Sequence, residues 1–459
     1  MKKPPLKPSV VSLFAGCGGL DVGFLEQGFD LIYACDHDPV AVDAYKRNID
    51  ERAYVRDVTS DEFHSDLEDI GRCDIVLGGF PCQGFSKAGP KKEGDVRNFL
   101  YLEMKAAVEK LQPKIFLAEN VDGLSQNFKG AYLESITKDF QSIGYHVEHR
   151  VIDSVTFGVP QHRRRIYFVG IRNDQHHVDF EWPSATHAQR IRSGETVLRS
   201  VNLLWGDSLA HRSTSIADAI GDLRELDSSI PDHRVTNAWP AATNTIIKRI
   251  GPGQKLCNVR HSDSSVYTWN IPEYFGRVTE QEVAILEVIA KNRRLRQYGT
   301  IPNGNPLALD VIETLSRISS AMPIIESLLS KGYLKEVSGK YDLKGAMFCS
   351  GLYKRPDWNS PSPTVLTNFH SPRYFIHPLE DRPFSLRECA RLQGFSDNFI
   401  FTQTESVSEL TAGYRLVGNA VSPPVGRAFA VAIYSHLIKE SEVEAKGCQP
   451  FSRREAERV

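Results

Sequence analysis

"VVSLFAGCGGLDVGF" at residues 10–24 runs from apolar residues through a glycine-rich turn into a helical pattern. The run at 10–14 has the length of a buried strand, and the glycines after it mark the strand's end. Gly16, Gly18 and Gly19 let the chain turn sharply and let a ligand come close to backbone. The helix expected near residues 20–28 sets its N-terminus beside that turn, where polar ligand groups are favoured.

The same plan recurs along the first part of the chain. The run at 31–35 ends at Asp36 and precedes a helix over roughly 39–48. Residues 53–55 lead to Asp57, residues 74–77 to Cys82, and residues 115–118 to Glu119; the run at 165–169 closes the series. Strands separated by helical segments predict an α/β fold with a mostly parallel sheet and helices on both faces. In such sheets the ligand crevice lies beyond the carboxyl ends of the strands. Gly16, Asp36, Asp57, Cys82 and Glu119 all fall there, so residues far apart in sequence are expected to share one site.

The chain has 459 residues, enough for more than one domain, and its 41 % hydrophobic and 24 % charged composition is that of an ordinary globular protein. No stretch approaches the ~20 apolar residues of a membrane span. The charged start runs straight into the glycine motif, which argues against a signal peptide. Eight cysteines without metal-ligand spacing predict reduced thiols, a cytoplasmic location and no metal. A net charge of −2 argues neither for nor against nucleic acid, because a phosphate binder can concentrate its positive charge locally. The local basic runs are Arg163-Arg164-Arg165 and Arg293-Arg294 with Arg296; the second suits a DNA contact or a solvated surface.

After about residue 180 the strand–helix rhythm disappears and Pro, Gly, Ser and Asn become common, predicting a second, less regular domain. Within it, helical patterns at 279–290, 308–318 and 323–330 precede two short strand-like runs joined at Ser338-Gly339, a plausible hairpin. Three helices and a hairpin suit a winged-helix insert at 279–345; a packing subdomain without nucleic-acid contact is the alternative.

The glycine turn does not complete a dinucleotide fingerprint, since Asp21 stands where Gly-x-Gly-x-x-Gly needs its third glycine. Asp36 suits the hydroxyls of a ribose and Asp57 an adenine amine. A nucleoside without pyrophosphate fits both, S-adenosylmethionine being one; a nicotinamide cofactor remains the alternative, and Gly16 and Asp36 also have plain roles in a turn and a helix cap. In "GGFPCQGFS" (78–86), Cys82 follows an apolar strand at a turn that Pro81 stiffens, with Gln83 and Ser86 as polar neighbours. Glu119 follows a strongly apolar strand, where partial burial would raise its pKa and let it carry a proton. Thiolate and protonatable carboxyl together suit attack on an electron-poor ring. A cysteine hydrolase would need a paired histidine, and nothing assigns that role to His37 or His162. Period-two alternation puts Arg163 and Arg165 on one face of their strand and Arg164 on the other.

Taken together, these stretches resemble the DNA cytosine-5 methyltransferase family of bacterial restriction-modification or phage-defence systems. "LFAGCGGLDVGF" (13–24) is similar to the family's cofactor loop, "GGFPCQGFS" to its nucleophile loop, "ENV" (119–121) to its glutamate motif, and "QHRRRIYFVG" (161–170) to its Gln-x-Arg-x-Arg pattern. "RECARLQGF" (387–395) and "GNAVSPPVG" (418–426) resemble two late motifs that return to the catalytic domain. The resemblance implies a methyl group moved from S-adenosyl-L-methionine to C5 of a flipped-out cytosine in a specific double-stranded DNA sequence, leaving S-adenosyl-L-homocysteine. It implies Cys82 as nucleophile on C6, Glu119 at N3, and Arg163 and Arg165 beside them. Cofactor contacts are expected from Phe14, Ala15, Gly16, Gly18, Gly19, Leu20, Asp36, His37, Asp57, Val58, Pro81, Asn419, Ala420 and Val421, and substrate contacts from Gln83, Ser86 and Gln161. The expected layout is a catalytic part at 1–185, a target-recognition domain at 186–380, a catalytic return at 381–438 and a flexible tail at 439–459. The expected molecule is a monomer with no membrane contact, acting on DNA that a restriction nuclease or defence partner also recognises. RNA cytosine methylation by the same chemistry, and a non-catalytic DNA-binding regulator, are the competing readings.

Overall fold

The computed structural model describes residues 7–81, 100–125, 131–175, 177–188, 211–223, 227, 229–235, 239–258, 261–344 and 352–447. The chain divides into two compact units, one of residues 1–234, 361–367 and 387–459, the other of residues 235–360 and 368–386.

The first unit is built on a seven-stranded sheet of β1 (Ser9–Leu13), β2 (Asp30–Asp36), β3 (Ala53–Val55), β4 (Ile75–Gly78), β5 (Ile115–Val121), β6 (Tyr145–Asp153) and β7 (Arg164–Arg172). Their order is β3-β2-β1-β4-β5-β7-β6. The first five strands are parallel, whereas β7 runs antiparallel to β5 and β6 antiparallel to β7. Strand order reverses between β1 and β4, which opens a crevice at their carboxyl ends. Strand β6 has no counterpart in the sequence reading. It is an edge strand whose His146, Glu148, His149 and Arg150 break any apolar run.

Helices α1 (Asp21–Glu26), α2 (Pro39–Asn48), α3 (Asp61–Ile70), α4 (Leu100–Leu111) and α5 (Ala131–Ser142) follow the strands in turn, and α6 (Ile216–Ile220) comes later. Local chemistry starts them: Asp38 accepts from Val40 N with Pro39 behind it, and Ser60 accepts from Phe63 N. Neighbouring residues of each strand bury on opposite faces, as period two requires. Val11, Val76 and Phe116 pack with Phe63, Met104 and Phe140 on one side. Val10, Ile75 and Leu117 pack with Phe24, Phe429 and Ile433 on the other. Each such fully buried side chain contributes roughly 1.5–3 kcal/mol.

The second unit holds α7 (Ala241–Ile247), α8 (Pro272–Phe275), α9 (Glu280–Asn292), α10 (Leu309–Ser316) and α11 (Met322–Ser330). Its strand pairs are β8 (Lys255–Leu256) with β9 (Ser265–Val266), and β10 (Leu334–Val337) with β11 (Lys340–Leu343). Helices α9–α11 and the β10–β11 hairpin share one core around Ile285, Ile289, Ile312, Ile325, Leu334 and Leu343. A second core gathers Ile246, Ile250, Leu256 and Ile376. Beside it the buried Arg355 donates to the carbonyls of Ile250, Ile247, His377 and Glu380.

The chain returns to the first unit through α12 (Leu386–Gln393), α13 (Val407–Asn419) and α14 (Pro423–Gly447). Several boundaries differ from expectation: residues 361–367 belong to the first unit, and the return begins at 387 rather than 381. The second unit begins at residue 235 rather than 186, because the 211–223 segment buries Ile216 and Ile220 within the first. The segment from 439 onward is not all tail: α14 continues to Gly447, and Glu440, 2 % exposed, accepts from the N–H groups of His177 and Val178. Its charged composition reads as frayed, yet that carboxylate is satisfied inside the fold. Among the described residues no single helix is long and apolar enough to cross a membrane.

Candidate active site

Glu119 sits in the carboxyl-terminal half of β5, 9 % exposed. The antiparallel turn of β7 brings that strand's beginning to the same end of the sheet, with Val121 opposite Arg165 and Glu119 opposite Tyr167. Arg165 Nε accordingly lies 3.0 Å from Glu119 Oε1. Burial pushes the Glu119 carboxyl up, against the opposing pull of the Arg165 and Arg163 guanidiniums, and the net direction is upward. A carboxyl in this balance holds its proton to a higher pH than an ordinary glutamate does.

Arg163 plays a different part from Arg165. It is 2 % exposed, and its guanidinium donates to the carbonyls of Val365, Gly418 and Asn419 at 3.3, 3.1 and 3.4 Å. Burial, with Arg165 nearby, brings its pKa down to about 9. Expected near the chemistry, Arg163 braces the backbone of residues 365, 418 and 419. Arg164 is exposed, 3.6 Å from Asp122. Gln161, expected to touch substrate, is wholly buried. Its amide accepts from Val365 N and donates to Leu392 O and the Gln393 side chain, which in turn donates to Ala420 O. Both polar atoms of the Gln161 side chain thus have internal partners.

The glycine turn lies beside this carboxyl. A Cβ placed on Gly79 would stand 3.7 Å from Glu119 Oε2 and 3.9 Å from Phe14 O, so β1, β4 and β5 converge there. Phe14 itself has φ 53°, a conformation that a bulky residue adopts only when its surroundings impose it. Ala15 N donates to Cys35 O at 3.0 Å, and Gly16 N to Asp36 Oδ2 at 2.9 Å. Asp36 also accepts from Asp38 N, and His37 Nδ1 lies 3.1 Å from it, the His37 side chain being 83 % exposed. Asp57 is held by Thr59 N and Oγ1, which keep its carboxyl below the usual range. Leu20 and Val58 are buried beside these loops.

These residues fit S-adenosylmethionine. Gly16, at φ +57°, has open space where a side chain would be, whereas a Cβ on Gly19 would stand 2.2 Å from Val421 O. The turn is therefore packed on one side against Ala420 and Val421 and open on the other, with a braced carboxylate, Asp36, at its edge. Asn419 is exposed next to this wall. Pro81 is half-buried, and Asn120 Nδ2 pins Phe80 O at 2.9 Å just before it. Cys82, Gln83 and Ser86 lie outside the described residues.

Two contributors escaped the sequence reading. Asp21 is 1 % exposed, accepts from Tyr45 Oη at 2.8 Å and is pushed by burial to about 6, a role hidden behind its apparent failure as a third glycine. Gln393 lies inside the run at 387–395, where no sequence signal separates its amide from its neighbours. Of the second basic run, Arg293 is no DNA contact: it is buried and grips Asp342 through Nε at 2.7 Å and Nη2 at 2.9 Å. Arg294 is exposed and donates to Pro302 O.

Comparison with known proteins agrees with this geometry. The family pattern described as C-5 cytosine-specific DNA methylase matches residues 9–435. The chain is 30 % identical to the Type II methyltransferase M.HgiCI of Herpetosiphon aurantiacus, over 92 % of this chain and 97 % of that one. It is 29 % identical to M.AgeI of Thalassovita gelatinovora, over 92 % and 98 %. A crystal structure described as a DNA modification methyltransferase encoded within a prophage (E. coli) shares its fold, with TM-score 0.50 and 21 % identity over 94 % of this chain and 99 % of that one. The chain therefore belongs to the C-5 cytosine-specific DNA methylases and is a DNA (cytosine-5)-methyltransferase dependent on S-adenosylmethionine.

Proposed function

We propose that this enzyme methylates one cytosine within a specific double-stranded DNA sequence, with Cys82 as nucleophile and Glu119 as the proton-holding group. The observation that carries the reading is the raised, arginine-paired Glu119 carboxyl beside the glycine turn.

The target base is buried in duplex DNA and must leave the stack to reach such a crevice. The Cys82 thiolate bonds to C6 while Glu119 hydrogen-bonds or protonates N3, so the ring's electrons move toward C5. The cofactor, when bound, supplies an electrophilic methyl group. A base then takes the C5 proton, the C6–S electron pair returns to sulfur, and the ring regains its double bond. Arg165 holds Glu119 and steadies the base. The proposal includes no metal.

The second unit serves as the target-recognition region, its three-helix and hairpin module being of winged-helix type. We place the enzyme in the cytoplasm as a monomer, in a restriction-modification or phage-defence setting with a nuclease acting on the same sequence; the Type II names of its relatives support that setting.

The test is transfer of labelled methyl groups to unmethylated genomic DNA, read at single-base resolution, with RNA and the Cys82→Ala variant alongside. Cysteine-dependent 5-methylcytosine at one repeated DNA motif is the expected result. Label in RNA alone, or normal turnover by C82A, overturns the reading.

A further inference from the structure

Charge is divided sharply within the module of α9–α11 and β10–β11. Outside the core the three helices carry five carboxylates, Glu280, Glu287, Asp310, Glu313 and Glu326, against Lys291, with the exposed Arg294, Arg296 and Arg317 lying beyond their ends. Such surfaces repel a phosphate backbone. The hairpin and its flanks are the opposite, with Lys331, Lys335, Lys340 and Lys344 all exposed against one exposed carboxylate, Glu336, which pairs with Tyr341 and so lies on the other face of the ribbon from Lys335.

The partners of these lysines differ. Lys331 is committed to the buried Glu282, at 2.7 and 2.8 Å. Lys335 is 3.9 Å from Asp342, whose carboxylate Arg293 already holds through two hydrogen bonds. Lys340 and Lys344 form no ion pair with any described residue. Arg293 thus has an indirect effect: by neutralising Asp342 beneath the hairpin it leaves the positive charge of Lys335 uncancelled.

The scaffold is firm. Lys335 pairs with Asp342 and Val337 with Lys340 across the strands, and Lys344 N extends the ladder to Tyr333 O at 3.1 Å. Ser338 and Gly339 both have positive φ, 53° and 74°, the tight turn whose twist matches that of the strands. Leu334, Tyr341 and Leu343 anchor the hairpin in the core. Lysines four positions apart on one strand, as Lys340 and Lys344 are, stand about 13 Å apart on the same side.

We propose that this ribbon, through Lys335, Lys340 and Lys344, is the surface by which the module holds the DNA backbone, the acidic helices taking no part. The inference rests on the reading of this enzyme as one that acts on duplex DNA. A two-stranded ribbon fits the width of the major groove, and lysine–phosphate contacts release condensed counterions, which makes the binding steeply salt-dependent.

The test uses the full chain and a 30-base-pair duplex of arbitrary sequence, because the backbone term does not depend on sequence. Dissociation constants are measured between about 50 and 300 mM salt for the wild type, for the Lys335→Gln/Lys340→Gln/Lys344→Gln variant, and for a Glu280→Gln/Asp310→Asn/Glu326→Gln variant. The lysine variant is expected to bind roughly tenfold or more weakly at the lowest salt, with a log–log slope shallower by up to about 2.7, or ~0.9 per lost contact. The helix variant should keep the wild-type slope. Thermal unfolding of all three checks that these exposed substitutions leave the fold intact. An unchanged slope and affinity in the lysine variant overturns the proposal and leaves the ribbon to an anionic protein; a steeper change in the helix variant also overturns it. Methyl transfer to genomic DNA is assayed separately, so a failure of the DNA-methylation reading shows in the wild type and a failure of the ribbon only in the binding slopes.

Discussion

Glu119 and Arg165 reach each other from strands of opposite direction, Oε1 to Nε at 3.0 Å. Only a reversed β7 delivers its first residues to the carboxyl end of β5. The pairing keeps a largely buried carboxyl in place without holding it firmly ionised, because burial outweighs the two guanidiniums.

Glu119→Gln keeps the shape and loses the transferable proton. Single-turnover methylation should fall by roughly 10²–10⁴-fold. Cofactor affinity, measured by titration, should stay within a few-fold of wild type. Unchanged transfer kinetics would remove Glu119 from the chemistry.

Asp21 makes stability depend on pH. Its folded pKa of about 6 lies above the ordinary 3.8, because burial disfavours the charged form. A raised carboxyl binds more protons in the folded state, so stability is lost as pH rises from about 4 through 6. The difference corresponds to about 3 kcal/mol. Asp21→Asn should be progressively more stable than the wild type, in relative terms, from pH 4 to 7.5 by urea unfolding. A constant offset across that range would show that Asp21 does not titrate there.

Gln393→Ala leaves the Ala420 carbonyl and the Gln161 amide without one partner each. Unsatisfied buried groups of this kind cost about 1–3 kcal/mol. Because Ala420 and Val421 back the glycine turn, the cofactor dissociation constant should rise along with the loss of stability. Wild-type cofactor affinity in a destabilised variant would confine Gln393 to packing.

Gly19→Ala would drive a methyl group against Val421 O, 2.2 Å from the new Cβ. That contact is backbone and cannot swing aside, so overpacking of about 1–3 kcal/mol is expected, with weakened cofactor binding. A crystal structure of the variant would show the 420–421 segment displaced.

Much of the sheet could be read from sequence because β1, β2, β4 and β5 are buried on both faces and rich in apolar residues, with Ser12 the one polar residue inside the run of β1. The ends of β1, β2 and β5, with that of the short β3, then placed Gly16, Asp36, Glu119 and Asp57 in one region. Strand direction was not legible. Hydrophobic period is the same for parallel and antiparallel neighbours, so β7 reads like another parallel member. Nor does sequence separate a polar side chain that meets substrate from one that meets only protein: Gln161 and Arg163 share a motif with Arg165, yet both are directed to backbone and side chains of the late segments. Arg293 looked like part of a basic surface because its partner Asp342 lies 49 residues further along.

The split first unit also sets a timetable for its own synthesis. Arg427 of α14 pairs with Glu26 of α1 across 401 residues of sequence, and Phe429 packs in the same core as Val10. At about 5–20 residues per second, a ribosome needs roughly 20–80 s to make the chain between those partners. Throughout that interval one face of the nascent sheet lacks the α14 part of its cover, and the glycine turn lacks the Val421 side of its wall. Methylating activity can therefore appear only once α14 has left the ribosome, and chains released before it expose part of an apolar sheet that chaperones or proteases must handle.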